Sequence, residues 1–376
     1  PHGLLLCLHQ HTFLDILKNL NIPVVTTFNG FDLLNEDTPQ YIGRIGTIGQ
    51  RAGNFVLQNA DLVLFLGTRN NIRQISYNWE NFARNAYKIV VDIDKAELEK
   101  PLVKPDMAIH ADLADFLPLL KEALTSIDKP EWLTFCRDLK ERYSFSNTKE
   151  YSQTGDKINV YYFVRRLTEL MSENDVCVTA NGTAIIASVQ TAMVKNNQRI
   201  FSNSGDASMG YDLPAAIGAC VANNKKNTIC IAGDGSLMMN LQELQTLKHH
   251  NLPVKIFILN NDGYSSIKQT QTNFFEGRNT GAGTNSGVSM PDFVKVGSAF
   301  DIKSIRLESP NEIDNTIKDV LSTKGPVLCD VIVNPDYIFT PKLSSRKLED
   351  GTMISPSLED MYPFLPRDEY EKNFYK

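Results

Sequence analysis

Ile231-Ala232-Gly233-Asp234-Gly235-Ser236 is answered downstream by Leu259-Asn260-Asn261-Asp262-Gly263-Tyr264, with Asn261 lying 27 residues after Asp234. In both stretches an apolar run of strand character gives way to glycine and polar residues. Parallel sheets place ligands beyond the carboxyl ends of their strands, so two such ends can face one ligand. Together they supply a carboxylate, a carboxamide and bare backbone. Magnesium prefers an octahedral shell of oxygens, which Asp234, the Asn261 amide oxygen, a backbone carbonyl, phosphate and water would complete. Gly233 and Gly235 let the backbone approach an anion closely, and a helix expected from Leu237 offers it free N–H groups and a positive dipole end. A Gly-Asp-Gly alone is a common turn. Here Leu237, Leu241, Leu244 and Leu247 recur at helical spacing between the two halves, followed by Pro253 and a strand. One helix–strand passage therefore separates them, as a parallel sheet requires.

The same alternation runs outward in both directions. Leu4 to Leu8, Val24 to Thr27, Leu62 to Leu66 and Ile89 to Asp92 have the composition of buried parallel strands, with amphipathic patterns at Thr12 to Leu20 and Gln50 to Asn59 between them. Ile109 and a helix from Ala114 to Leu124 close that series. Residues 1–128 are expected to form a Rossmann-like α/β domain, and 129–156 a connecting segment in which Ser126 to Pro130 has linker character and Glu131 to Tyr143 is a charged helix. Residues 157–336 are expected to form a second α/β domain. Its strands are predicted at Val176 to Ala180, Ile200 to Ser202, Thr228 to Ala232, Val254 to Leu259 and Val327 to Val333. The fold class is thus α/β, with two doubly wound parallel-sheet domains. Residues 337–376, rich in proline and charge, are expected to pack on the surface as an extended tail or to act as a lid. The glycines from Gly277 to Gly287 predict a mobile loop.

Composition narrows the function. The 376 residues carry a net charge of −6 without a basic stripe, which argues against a nucleic-acid surface. No apolar run approaches the roughly 20 residues needed to span a bilayer, and Pro1-His2-Gly3 lacks the features of a signal peptide, so no membrane role is indicated. The six cysteines, at 7, 136, 177, 220, 230 and 329, are scattered through apolar runs with no Cys-x-x-Cys pair, as expected of reduced core residues in a cytoplasmic protein. Gly43-Arg44-Ile45-Gly46-Thr47-Ile48-Gly49 precedes a helix and is a candidate site for a flavin or other dinucleotide phosphate, with Arg69 as a candidate partner. It is a lone glycine triplet and does not directly follow a strong strand.

Gly-Asp-Gly followed after one helix and strand by Asn-Asn resembles the fingerprint of thiamine-diphosphate enzymes. Ser236-Leu-Met-Met-Asn-Leu-Gln-Glu-Leu-Gln-Thr, Asn251-Leu-Pro-Val-Lys and Ser204-Gly-Asp-Ala-Ser-Met-Gly-Tyr-Asp-Leu-Pro-Ala-Ala-Ile-Gly-Ala219 look most like the acetohydroxyacid (acetolactate) synthase branch. Pro23-Val-Val-Thr-Thr, Ala60 to Gly67 and Val91-Asp-Ile-Asp94 are similar to the central domain of these enzymes. The resemblance implies thiamine diphosphate and Mg2+ as cofactors. It matches Asp234, Asn261 and the Gly263 carbonyl to the metal ligands. Gly233, Gly235, Ser236, Tyr264 and the Asn181-Gly182-Thr183 turn match the cofactor-binding positions, Ala207 and Met209 those beside the pyrimidine. Met209 matches the residue that wedges the cofactor into a bent shape, in which its amino group reaches the thiazolium C2. A plain core role for Met209 is the alternative. The implied activity is decarboxylation of pyruvate or a similar 2-keto acid with transfer of the acyl unit to a carbonyl acceptor, in a homodimer or homotetramer.

The family normally begins with a further domain that supplies an activating glutamate. The sequence opens at what looks like the first strand of the central domain, so the chain is expected to be incomplete and, alone, to bind cofactor weakly. Asn181-Gly-Thr-Ala184 stands where acetohydroxyacid synthases have a histidine-containing turn, and Thr270 where they have a tryptophan. The run Asn260 to Gln271 looks closer to synthase-like relatives associated with unusual sugar or cell-surface metabolite pathways, a resemblance that implies a keto-sugar as a candidate acceptor in place of a second pyruvate. Three rivals therefore stay open: a simple 2-keto acid decarboxylase, a nucleotide-dependent oxidoreductase resting on Gly43 to Gly49, and a non-catalytic fragment.

Overall fold

The computed structural model describes residues 9–124, 126–347 and 350–376. The expected strand Leu4 to Leu8 and Cys7 lie outside these residues. Two compact units emerge, Pro1–Thr148 together with Thr340–Lys376, and Lys149–Phe339.

In the first unit the chain runs through α1 (Gln10–Lys18), β1 (Leu20–Asn21), β2 (Val24–Thr26), β3 (Tyr41–Arg44), α2 (Arg51–Asn59), β4 (Leu62–Leu66), β5 (Tyr87–Asp92), β6 (Met107–His110), α3 (Leu113–Ala123), β7 (Ile127–Asp128) and α4 (Pro130–Arg142). Its pairs up to Asp128 are parallel, β2 with β3, β4–β5–β6 in that order, and β1 with β7, while Arg346–Lys347 and Met353–Ile354 pair antiparallel in the final segment. The expected linker Ser126 to Pro130 thus holds a short strand, Ile127 and Asp128 pairing with Leu20 and Asn21. The glycine run also departs from expectation, because it begins inside the fully buried strand β3, which contains Gly43 and Arg44. A Cβ on Gly49 or Gly53 would lie 2.6 or 2.7 Å from the Arg44 carbonyl oxygen, so glycine lets β3 pack against the start of α2.

The final segment is no surface tail. Leu358, Glu359, Met361 and Asn373 are buried. Arg51, Asn54 and Gln58 recur at helical spacing along α2, and all three bond to this segment. Arg51 donates to the Met361 carbonyl at 3.1 Å and to that of Pro363, Asn54 to the Leu358 carbonyl at 3.0 Å, and Gln58 to Glu359 Oε2 at 2.8 Å. Glu359 Oε1 accepts from Arg84 and from the Tyr370 hydroxyl, each at 3.0 Å. A carboxylate with no exposed surface is tolerated because charged and neutral donors replace its water. Leu348 and Glu349, at the start of the acidic stretch, lie outside the described residues.

The second unit contains α5 (Val160–Leu170), β8 (Val176–Thr179), α6 (Thr183–Thr191), β9 (Arg199–Phe201), α7 (Asp212–Ala222), β10 (Thr228–Gly233), α8 (Asp234–Leu237), α9 (Leu244–His250), β11 (Val254–Asn260), α10 (Ser265–Phe274), α11 (Phe293–Ala299), β12 (Lys303–Leu307), α12 (Ile313–Ser322) and β13 (Val327–Ile332). Its six strands form one parallel sheet in the order β12-β13-β11-β10-β8-β9. From β8 the chain steps outward to β9, then returns to the other side of β8 as β10. That reversal opens a crevice at the carboxyl ends of β8 and β10, the usual ligand position in such sheets. The central strands β10 and β11 are buried almost throughout, as strands covered on both faces must be.

Three details differ from the sequence reading. The helix expected from Leu237 to His250 is interrupted: Asn240 takes φ −136°, ψ 34°, and its amide donates to the Gly210 carbonyl at 2.6 Å. An asparagine bonded to distant backbone competes with the helix ladder. Second, α10 was not anticipated, because Ser265 is its only buried residue and no apolar period marks it. Third, β12 is a polar-bearing edge strand, not a continuous apolar run. Among the described residues no helix is long and apolar enough to cross a membrane, and the five described cysteines are free and buried.

Glu359→Ala should destabilise the first unit by about 3 kcal/mol, since it strands Arg84 and Gln58 without their carboxylate. Urea denaturation followed by Trp fluorescence would register this; an unchanged midpoint would contradict the role assigned to Glu359.

Candidate functional site

The register of the central strands assembles the site. Gly233 pairs with Leu259, so the residues that follow each strand leave the sheet side by side. Asp234, 2% exposed, accepts three backbone N–H groups. Gly235 donates to Oδ1 at 2.7 Å, and Asn261 and Gly263 donate to Oδ2 at 3.1 and 2.8 Å. The carboxylate thereby ties the end of β10 to the turn after β11. Burial pushes its pKa up to about 6 despite these donors.

Asn261 is also buried, and its side chain is asymmetric in its bonding. The amide nitrogen donates to Thr183 Oγ1 at 3.1 Å and to the Tyr337 hydroxyl at 3.4 Å, while Oδ1 has no hydrogen-bond partner. An unpaired amide oxygen in a buried setting costs free energy unless a ligand satisfies it. Gly263 takes φ +118°, and a Cβ there would sit 2.6 Å from the Ala282 carbonyl oxygen. Only glycine suits that turn. Part of the expected loop Gly277 to Gly287 is pinned at this point: Tyr264 N–H donates to the Ala282 carbonyl at 2.8 Å, and Gly263 bridges Gly283. Gly235 is equally constrained, because a Cβ would fall 2.2 Å from the Tyr264 ring.

The end of β8 supplies the third side. Gly182 caps α6 with φ 64°, ψ −128°, a conformation suited to glycine, and delivers Thr183 as the first helical residue. Asn181 sends its amide to Asn203 Oδ1 at 2.6 Å and to the Ser208 carbonyl at 2.9 Å, which anchors the loop carrying Ala207 and Met209. Met209 is 40% exposed, outside any core. Ser236 is committed within the protein: its hydroxyl donates to Asp212 Oδ1 at 2.6 Å and accepts from Gly210 N–H at 2.8 Å. The helix beginning at Asp234 is a single turn, so its dipole is small, and any anion would meet individual N–H groups.

Two residues of this neighbourhood went unrecognised in the sequence. Asp212 has no exposed surface, and its Oδ2 is without a partner. Its signal was present, as the only charge between Ala207 and Ala222. Tyr337 lies beyond the last strand, where no pattern marks it. Its hydroxyl bonds Thr183 as well as Asn261, and burial pushes its pKa well up, keeping it protonated. The glycine run of the first unit looks different. The N–H groups of Ile45, Gly46, Thr47, Gly49 and Gln50 all bond within the unit, which leaves none of them for a dinucleotide phosphate. Arg69 pairs with Glu97.

Comparison with known proteins adds a family to this geometry. Residues 9–120 match the thiamine pyrophosphate enzyme central domain, and residues 181–331 match the C-terminal TPP binding domain. The chain belongs to the thiamine pyrophosphate enzymes. Among members of this family, it is 34% identical over 345 residues to the acetolactate synthase large subunit of Cyanidium caldarium, covering 90% of this chain and 57% of that relative. It is 31% identical to the acetolactate synthase isozyme 2 large subunit of Escherichia coli (strain K12), over 85% of this chain and 56% of the relative. To the chloroplastic acetolactate synthase 1 of Zea mays it is 33% identical, over 86% and 51%. The chain spans about half the length of the curated relatives it matches. The TPP binding domain contains every side chain of the crevice described above except Tyr337, which lies just beyond its matched range.

Asp212 generates a pH signature. Burial raises its carboxyl from 3.8 to about 6, so the folded state holds a proton that the unfolded state has released. Its stabilising contribution is complete below pH 3.8 and is lost as pH rises through 6, a change of about 3 kcal/mol. Asp212→Asn stays neutral and should therefore gain on the wild type between pH 4 and 7, while the shared Asp234 cancels from the difference. Thermal unfolding across that range would measure it; parallel profiles would refute a raised Asp212.

Proposed function

We propose that the crevice binds the diphosphate of thiamine diphosphate through a magnesium ion, and that the whole protein decarboxylates pyruvate or a similar 2-keto acid and transfers the acyl unit to a carbonyl acceptor. The observation that carries this reading is the unpartnered Oδ1 of Asn261, buried beside the Asp234 carboxylate. One carboxylate, one carboxamide and the Gly263 carbonyl make an all-oxygen set that suits magnesium completed by phosphate and water. Among the described residues no group of three or more His, Cys, Asp or Glu side chains gathers to hold a metal. A single carboxylate leaves positive charge on the ion, which a diphosphate neutralises. A cation there would also reverse the upward shift at Asp234.

When bound, thiamine diphosphate supplies a nucleophilic carbon and an electron sink for decarboxylation. The residues of this chain would hold and shape it. Asp234 and Asn261 orient the metal; the turn at Gly182 and the bare backbone at Gly233 and Gly235 admit the diphosphate. Met209, exposed on the loop that Asn181 anchors, supports the bend between the two rings. The acetolactate synthase relatives favour acyl transfer over simple protonation, and an assembly of at least two copies goes with that family resemblance.

Calorimetric titration of the full-length protein with thiamine diphosphate should show heat that depends on magnesium. Asp234→Ala should abolish that dependence without loss of fold; binding indifferent to magnesium, or to the substitution, would refute the site. With pyruvate as donor, chromatography should find a coupled product when an aldehyde or keto-sugar is added. Acetaldehyde as the sole product would point to a decarboxylase.

A further inference from the structure

The carboxamide of Asn261 is useful to a cation in only one of its two orientations. Its oxygen can ligate a metal; its NH2 would present two donor protons and repel it. The backbone of Asn261 is fixed by the bond from its N–H to Asp234 Oδ2, which does not settle which way the side-chain amide turns. A hydroxyl can serve either end of an amide, so the choice falls to how the hydroxyls at its far corner spend their own protons, on each other and between Tyr337 and Ser265. There the amide nitrogen meets two hydroxyls, Thr183 Oγ1 at 3.1 Å and Tyr337 OH at 3.4 Å, which also bond each other.

Tyr337 is itself held from several sides. Gln269 of α10 clamps its segment twice, donating to the Tyr337 carbonyl at 3.4 Å and accepting from Phe339 N–H at 3.1 Å. The Tyr337 ring lies edge-on to Tyr161 and to Phe339, with centroids 6.4 and 5.5 Å away. Two separate parts of the unit therefore meet at one amide, the start of α6 and the segment after β13, and α10, which follows the Gly263 turn, braces the second.

We propose that Tyr337 and Thr183 form a hydroxyl pair that holds the Asn261 carboxamide with its oxygen free for the metal, Tyr337 acting as a positioning residue. The inference rests on the magnesium diphosphate reading of the site. Groups behind a metal ligand fix its orientation, and their loss typically weakens metal binding by about 10- to 100-fold. Tyr337→Phe removes the hydroxyl while keeping the ring and its packing. Thr183→Val removes the other hydroxyl, and Thr183→Ser restores it.

The test is calorimetric titration of magnesium into the full-length protein at fixed thiamine diphosphate, with thermal unfolding of the ligand-free proteins alongside. Tyr337→Phe and Thr183→Val should each need about 10-fold more magnesium for half-saturation. Tyr337→Phe should bind the cofactor fully at saturating metal, with an unfolding temperature near that of the wild type, and Thr183→Ser should recover the magnesium affinity that Thr183→Val loses. Unchanged magnesium requirements in Tyr337→Phe and Thr183→Val, with Asp234→Ala still losing metal dependence, would overturn the positioning role alone. Loss of cofactor binding by Tyr337→Phe at every magnesium concentration would also overturn it, since that marks a direct contact or a folding defect. A wild type whose binding ignores magnesium would overturn the underlying reading and this inference together.

Discussion

One carboxylate organises the end of the second sheet. Asp234 Oδ2 accepts the N–H groups of both Asn261 and Gly263, joining the exits of two adjacent parallel strands. The strand register sets the two exits side by side, and this crossing ties the turn after β11 to the turn after β10. The bond depends in turn on the register that places Gly233 opposite Leu259 and on backbone at Gly263 that a larger residue would strain. The free-energy cost of burying the acid is substantial, which is why its pKa rises. Such a cost is tolerated where a cation or proton is to be held.

Around this crossing the fold supplies rigidity from elements distant in sequence. Asp330 on β13 accepts from Asn260 at 2.9 Å and from Arg306 at 3.2 Å, and Arg306 reaches on to Asp292 at 2.6 Å. Ser236 links the Asp234 turn to Asp212 and Gly210. Side chains committed in this way leave the turns that carry Asp234 and Asn261 little freedom. Low orientational freedom before binding lowers the entropy lost on binding.

How much of this was legible in the sequence follows from the range of each interaction. Asp234 and Asn261 could be paired in advance because the motif is local at each end, and the helix and strand between them fit one crossover. The break at Asn240 was invisible, since its partner Gly210 lies 30 residues upstream in an unrelated loop. Tyr337 reads as the start of a polar tail, and only the folded chain brings it to Thr183, 154 residues away. In the first unit the glycines of Gly43 to Gly49 suggested a phosphate loop, whereas their demand is steric, set by Gln50 at Gly43, by the Phe28 ring and the Arg73 carbonyl at Gly46, and by the Arg44 carbonyl at Gly49. The final segment looked superficial because the residues of α2 that grip it lie some 300 positions earlier. Strand and helix periods are local properties; buried polar contacts between remote segments are not.

The magnesium diphosphate site is tested most directly by anomalous diffraction at the manganese edge, from crystals of the protein grown with thiamine diphosphate and Mn2+ in place of magnesium. A single strong peak is expected, coordinated by Asp234, Asn261 Oδ1 and the Gly263 carbonyl oxygen, with diphosphate oxygens completing the shell. A diphosphate bound without a peak there, or a metal held by other residues, would contradict it.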